Sequence, residues 1–270
     1  MAETFPKIRA VAATAFQETL RRKVLWIVLA LIVVIGFFMG SSMIVLRLAS
    51  QAGEVEIGQS IRSSIVSGAL NLWSGASVFL ALFLGAIGLS SETSTRTIVG
   101  VLARPVERWA YLSGRWIGVL AFLWGFQLIG ISIALALTYA LGVPFAPTLW
   151  LGLAGMFVNA ALLSGVSLGL SVVAPPVLAG ICAFLLPLLP VLVNPFLGVP
   201  NRLLRLPALV IYYLAPARMP ADLVAGSFSK ELVDPTYGLY AGVLAENFLY
   251  AVAAFALGCV LFARRELKLR

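Results

Sequence analysis

Apolar and polar positions alternate along the chain on the scale of whole helices. Six segments are predominantly apolar over 23 or more positions: 24–46, 65–89, 116–141, 149–174, 177–199 and 239–262. At 1.5 Å per residue each reaches about 34 Å or more, enough to cross a hydrocarbon core of about 30 Å. Backbone groups in lipid must bond within their own segment, so each is predicted to be a helix. The fourth and fifth are separated only by Ala174-Pro175-Pro176-Val177, which predicts a tight hairpin. Pro187, Pro190 and Pro195 lie inside the fifth. A proline removes a backbone bond and clashes with the preceding turn, so that span is expected to be bent or re-entrant.

Three polar stretches punctuate this pattern. In residues 7–23, Ile8, Val11, Ala12, Ala15, Phe16 and Leu20 recur at helical spacing while Lys7, Arg9, Gln17, Glu18 and Arg21 fall elsewhere on the wheel. This predicts an amphipathic helix in the membrane interface, with a plain basic tail as the competing reading. Residues 200–238 form a long loop, whose apolar part, 207–215, is too short to cross; Arg205, Arg218, Tyr212 and Tyr213 suit an interfacial position. The third stretch is 90–115, SSETSTRTIVGVLARPVERWAYLSGR. With 93–103 helical, Ile98, Val101 and Leu102 share one face, and Arg96, Gly100, Ala103, Arg104 and Glu107 follow the other. Arg104-Pro105 is expected to end that helix and Pro105 to begin another through Trp109 and Tyr111.

Composition fixes the class. With 61% hydrophobic and 11% charged residues, the chain departs from a soluble domain, where roughly a quarter are charged. It reads as an all-α integral membrane protein with six transmembrane helices in one domain. The net charge of +8 sits in short blocks beside the apolar runs, as topology signals do, so no nucleic-acid partner is expected. With the N-terminus inside, thirteen Lys and Arg fall in inner segments and six in outer ones. Both termini and the 90–115 stretch are thus expected in the cytoplasm, with the chain in a plasma (inner) membrane.

Candidate chemistry is sparse. There is no histidine, and Cys182 and Cys259 stand singly in apolar segments, so neither a metal site nor a disulfide framework is expected. No lysine follows a glycine, so the phosphate-binding G-x-x-x-x-G-K-[ST] loop is absent and any ATP dependence must come from a partner. The chain is not expected to be an enzyme. Glu246 is the one acid well inside a span, a position expensive enough to suggest function. Ser67, Asn71 and Ser74 share a face of the second span, and Ser164, Ser167 and Ser171 a face of the fourth. Either stripe fits a transport pathway or close helix packing; packing is also the reading for Gly36-x-x-x-Gly40, Gly114-x-x-x-Gly118 and Gly165-x-x-x-Gly169.

The order Glu92, Thr97-Ile98, the run 99–102, Arg104-Pro105, Arg108, Tyr111-Leu112 and Gly114-Arg115 resembles the ABC-2 type permease family. Arg96 stands where that family usually has glycine. The overall layout is similar to that of permeases of nitrous-oxide-reductase maturation. The resemblance implies a cytoplasmic coupling helix between the second and third spans that docks on a separate ABC-type ATP-binding subunit holding ATP and Mg. Its residues here would be Glu92, Arg96, Thr97, Ile98, Val101, Leu102, Arg104, Pro105 and Arg108. It also implies a second permease copy or paralogue and an export role. Two competing readings stay open: an ion-gradient-driven transporter using Glu246, and, by resemblance to some ABC-2 relatives, a scaffold passing ATPase motion through the 200–238 loop to an extracytoplasmic partner.

Overall fold

The computed structural model describes residues 4–21, 59–94, 107–144, 147–199, 202–216 and 237–264, with isolated positions between 26 and 44. Among these the fold is all-helical, in the order α1 (Thr4–Arg21), α2 (Gln59–Ser94), α3 (Arg108–Leu141), α4 (Leu149–Ser171), α5 (Pro176–Leu185), α6 (Leu189–Leu197), α7 (Arg202–Leu214) and α8 (Tyr237–Arg264). A 3-10 turn, Leu186–Leu188, joins α5 to α6. Five described stretches are long and apolar enough to cross a membrane: Ile61–Ile87, Arg108–Leu141, Leu149–Ser171, Pro176–Leu197 and Tyr240–Arg264. They correspond to the second to sixth expected spans. The first, 24–46, lies outside the described residues apart from isolated positions, of which Leu29 and Ile32 pack against the core between α2, α3 and α4.

α4 is the centre of the bundle. α2, α3, α5 and α8 all pack on it, and most of its surface is buried. Lipid tails are as apolar as leucine, so helices in a bilayer gain by backbone proximity and packing rather than by escaping water. The α4–α8 seam shows this: a Cβ on Gly258 would lie 2.6 Å from the Gly169 Cα, and one on Gly165 would lie 3.1 Å from the Ala251 carbonyl oxygen. Across the other side of α4, Gly85 of α2 lets the backbone of Ser164 approach to 2.8 Å from where a Cβ would stand. Trp116 of α3 stacks on Phe255 of α8 at 4.4 Å and closes the core made with Leu112, Leu162 and Val166.

The helix ends are tied off by backbone geometry and arginines. Gly142 takes φ 62°, and the Val143 and Gly142 N–H groups donate to the Thr138 and Tyr139 carbonyls, which stops α3 in a Schellman motif. Arg62 of α2 donates to the Leu141 carbonyl there, at 3.4 Å. The α4–α5 hairpin turns as expected: the Val173 and Ala174 N–H groups both bond Leu170, and Pro175 then leads into α5. The fifth span is interrupted at Pro187, which lies in the 3-10 turn, because the proline ring denies a bond to the preceding turn.

Beyond that break the chain leaves the bundle: α5 packs on α4 and α2, whereas α6 pairs with α7. The apolar stretch 207–215, expected at the interface as part of a loop, lies almost wholly within a helix, α7. This helix starts at Arg202 and carries Pro207 inside it, and its last carbonyl, Leu214, accepts a hydrogen bond from the Tyr250 hydroxyl at 3.0 Å. Tyr250 lies ten residues into the apolar stretch Tyr240–Arg264, about 15 Å from its start, so the C-terminal end of α7 is tied to α8 at that level. Tyr250→Phe removes this tie, a bond worth about 1 kcal/mol. Amide exchange over 202–214 is expected to rise about fivefold, with the bundle's melting unchanged; unaltered exchange there would show that packing with α6 alone holds α7.

Candidate functional site: the end of the bundle around residues 95–106

α2 and α3 contain 36 and 34 residues, about 54 and 51 Å of helix, well beyond a hydrocarbon core. Their surplus flanks residues 95–106. Glu92 belongs to the last turn of α2. Arg96, Thr97, Ile98, Val101, Leu102, Arg104 and Pro105 lie outside the described residues. A helix starting at Pro105 is corrected downstream: Glu107 is extended (φ −63°, ψ 138°) and caps a helix whose first residue is Arg108. Trp109 and Tyr111 are thus the first turn of the third span itself. The Trp109 indole N–H donates to the Glu107 carboxylate beside it.

The motif positions of this first stretch of α3 hold other helices. Arg108 donates to the Phe262 and Ala263 carbonyls at 3.4 and 3.1 Å. These belong to the last turn of α8, where unpaired carbonyls and the negative end of the helix dipole favour a cation. Gly114 and Gly118 form the bed of α1: a Cβ at Gly114 would lie 2.8 Å from the Ile8 carbonyl oxygen, and one at Gly118 2.5 Å from that of Ala12. Between them Arg115, 6% exposed, pairs with Glu18 of α1 at 3.1 Å. Phe16 meets Phe122 edge to face at 6.3 Å. The apolar face of α1 is therefore taken up by α3, with Val11 against the buried Tyr111 and Leu112 cluster. α1, α3 and α8 are clamped together at the end where 95–106 begins and ends.

The polar positions proposed for a pathway fall apart in space. Ser67 and Ser74 are half-buried and Asn71 is exposed on α2; the Ser67 hydroxyl is turned back onto the Ser64 carbonyl at 3.2 Å. Glu246 is exposed on α8, which packs on α4 and α3 rather than on α2. The structure does not bring Glu246 to the α2 stripe. The fourth-span stripe is a packing seam: Ser164, Ser167 and Ser171 are buried, Ser164 accepts from the Trp116 indole at 3.2 Å, and Ser171 donates to Leu168 at 2.7 Å.

Two features escaped the pattern reading. Gln127, 2% exposed, donates to the Ser77 hydroxyl at 2.9 Å and the Met156 carbonyl at 2.8 Å, knotting α2, α3 and α4 in mid-span. A lone amide among apolar residues was its signal. Gly258 is the other; it completes a small-x-x-x-small pair with Ala254, which a search for paired glycines passes over.

No curated protein matches the chain. A family model described as ABC-2 family transporter protein matches residues 9–267, from the second turn of α1 past the end of α8 and through the 95–106 segment. With that match over nearly the whole sequence, the chain belongs to the ABC-2 family of transporter proteins, as a multi-pass membrane component.

Proposed function

We propose that this chain is the permease subunit of an ATP-driven exporter, working as a pair of permeases on two ATP-binding subunits with both termini in the cytoplasm. The family match over 9–267 carries the reading. ATP and Mg belong to the partner, and this chain supplies the contact: Ile98, Val101 and Leu102 enter a groove of the ATPase, while Arg96, Arg104 and Arg108 add charge beside them. Glu92 and Thr97 close the segment on the α2 side, and Pro105 on the α3 side.

The geometry around 95–106 supports a mechanical role. A push on the segment reaches α3 directly. From α3 it reaches α8 through Arg108, bonded to Phe262 and Ala263, and α1 through Arg115 and Glu18. The helices therefore shift as one body, the motion an alternating-access cycle needs. Ser67, Asn71 and Ser74, on a partly exposed face of α2, are the positions for a substrate path formed with the second permease.

The test is to purify the chain by a C-terminal tag from its own host in mild detergent and identify what remains bound. A stoichiometric soluble subunit carrying a P-loop is expected. A folded permease that runs without any ATPase would defeat the reading and return Glu246 to the centre of a gradient-driven one.

A further inference from the structure

Along the outward side of α4 and α8 runs a groove of about 340 Å³ lined by Val166, Gly169, Leu186, Tyr250, Leu257 and Leu261 among others. It exists because Gly169 and Gly258 bring the two helices into backbone contact while the 3-10 turn after α5 begins beside it at Leu186. Among the described residues, the only side-chain polar atom on its wall is the Tyr250 hydroxyl, and that donates to Leu214. The described wall is otherwise apolar and gives a polar solute little to orient it. From Tyr250 to Leu261 the groove follows eleven residues of α8, about 16 Å, which is half of a bilayer's hydrocarbon thickness of about 30 Å. It thus spans one leaflet.

Charge stands at the end where that leaflet meets water. Arg264, three residues after Leu261 and so on the same side of the helix, is exposed in the last turn of α8. The negative end of the α8 dipole, which would repel an anion, is covered by Arg108 on the Phe262 and Ala263 carbonyls. We propose that the groove is a binding site for a phospholipid with an anionic headgroup, one acyl chain lying from Leu261 to Tyr250 and the phosphate on Arg264. The proposal needs the chain to be embedded in a bilayer and is independent of its ATPase partner.

Native mass spectrometry of the full-length protein, with phosphatidylglycerol or phosphatidylcholine added in detergent, decides it. The wild type is expected to hold one phosphatidylglycerol about fivefold more tightly than phosphatidylcholine, the effect of one basic residue at an anionic surface. Ala253→Trp fills the groove from its exposed side and is expected to abolish that tight binding without altering the melting temperature. Arg264→Gln lies on an exposed terminal turn, where folding is not at stake, and is expected to erase the preference while keeping a bound lipid. Equal affinity for the two lipids in the wild type, or an unchanged preference in Arg264→Gln, means that only general annular lipid is present and overturns the proposal, as does unaltered binding by a folded Ala253→Trp.

Discussion

Gly258→Leu is expected to prevent the bundle from assembling. The nearest neighbour to a Cβ at this position is the Gly169 Cα at 2.6 Å, followed by the Gly169 carbonyl carbon and oxygen at 3.6 Å. These are backbone atoms, which cannot rotate aside as a side chain does. On the other strand of the same seam, a Cβ on Gly169 would stand 2.9 Å from the Ala254 carbonyl, so the two helices already touch along a full turn. Adding a side chain forces α8 away from α4 and pulls Trp116 and Phe255, stacked at 4.4 Å, out of register. Overpacking a filled core costs about 1–3 kcal/mol, and four added carbons against rigid backbone belong at or above the top of that range. The expected result is a loss of monodisperse protein on size exclusion and a melting transition lowered or absent. Gly125→Leu is the control: nothing lies within 4 Å of its Cβ position, and leucine is the better helix former, so its stability is expected to match or exceed the wild type. If both variants behave alike, the close α4–α8 approach is not what holds the bundle.

The second to sixth spans were legible because hydropathy is read over whole helices, and a bilayer leaves no other solution for apolar stretches of that length. Their ends were not. The sequence pattern begins the third span at residue 116, since Arg108, Trp109 and Arg115 interrupt the apolar run. The helix begins at Arg108 because those groups are satisfied by other helices: Arg108 by the end of α8, Arg115 by Glu18. Such long-range partners leave no local trace. The amphipathic pattern of α1 was equally clear, but an apolar face fits a lipid surface or another helix, and only the glycines at 114 and 118 pointed to the latter. The same ambiguity governs the serine stripes. Similar spacing yields a buried seam on α4 and a partly exposed face on α2, because the difference lies in the neighbour and not in the stripe. Within the candidate site, Arg108, Tyr111, Leu112, Gly114 and Arg115 carry an architectural load that motif resemblance alone could not separate from partner contact.

That separation makes Leu102 the sharper probe of coupling. Arg108 and Arg115 hold helices together, so changing them confounds docking with folding. Leu102 lies in 95–106, between the ends of α2 and α3, and the start of α3 is held by α1 and α8 irrespective of that segment. On the proposed docking helix Leu102 shares its apolar face with Ile98 and Val101. A carboxylate there would be carried into a desolvated groove without a partner, a cost that outweighs the modest loss of its apolar contact. Central apolar anchors of interfaces are worth about 2 kcal/mol or more, so Leu102→Asp is expected to weaken ATPase binding roughly thirtyfold or more. ATP-dependent transport should fall in proportion while the melting temperature of the purified permease stays at the wild-type value. Leu102→Met, similar in volume and polarity, is expected to retain both. An Asp variant that still carries its ATPase in full stoichiometry and transports at the normal rate would remove this segment from the interface. Loss of transport with the ATPase still bound would instead place Leu102 in the transmission of force, downstream of docking.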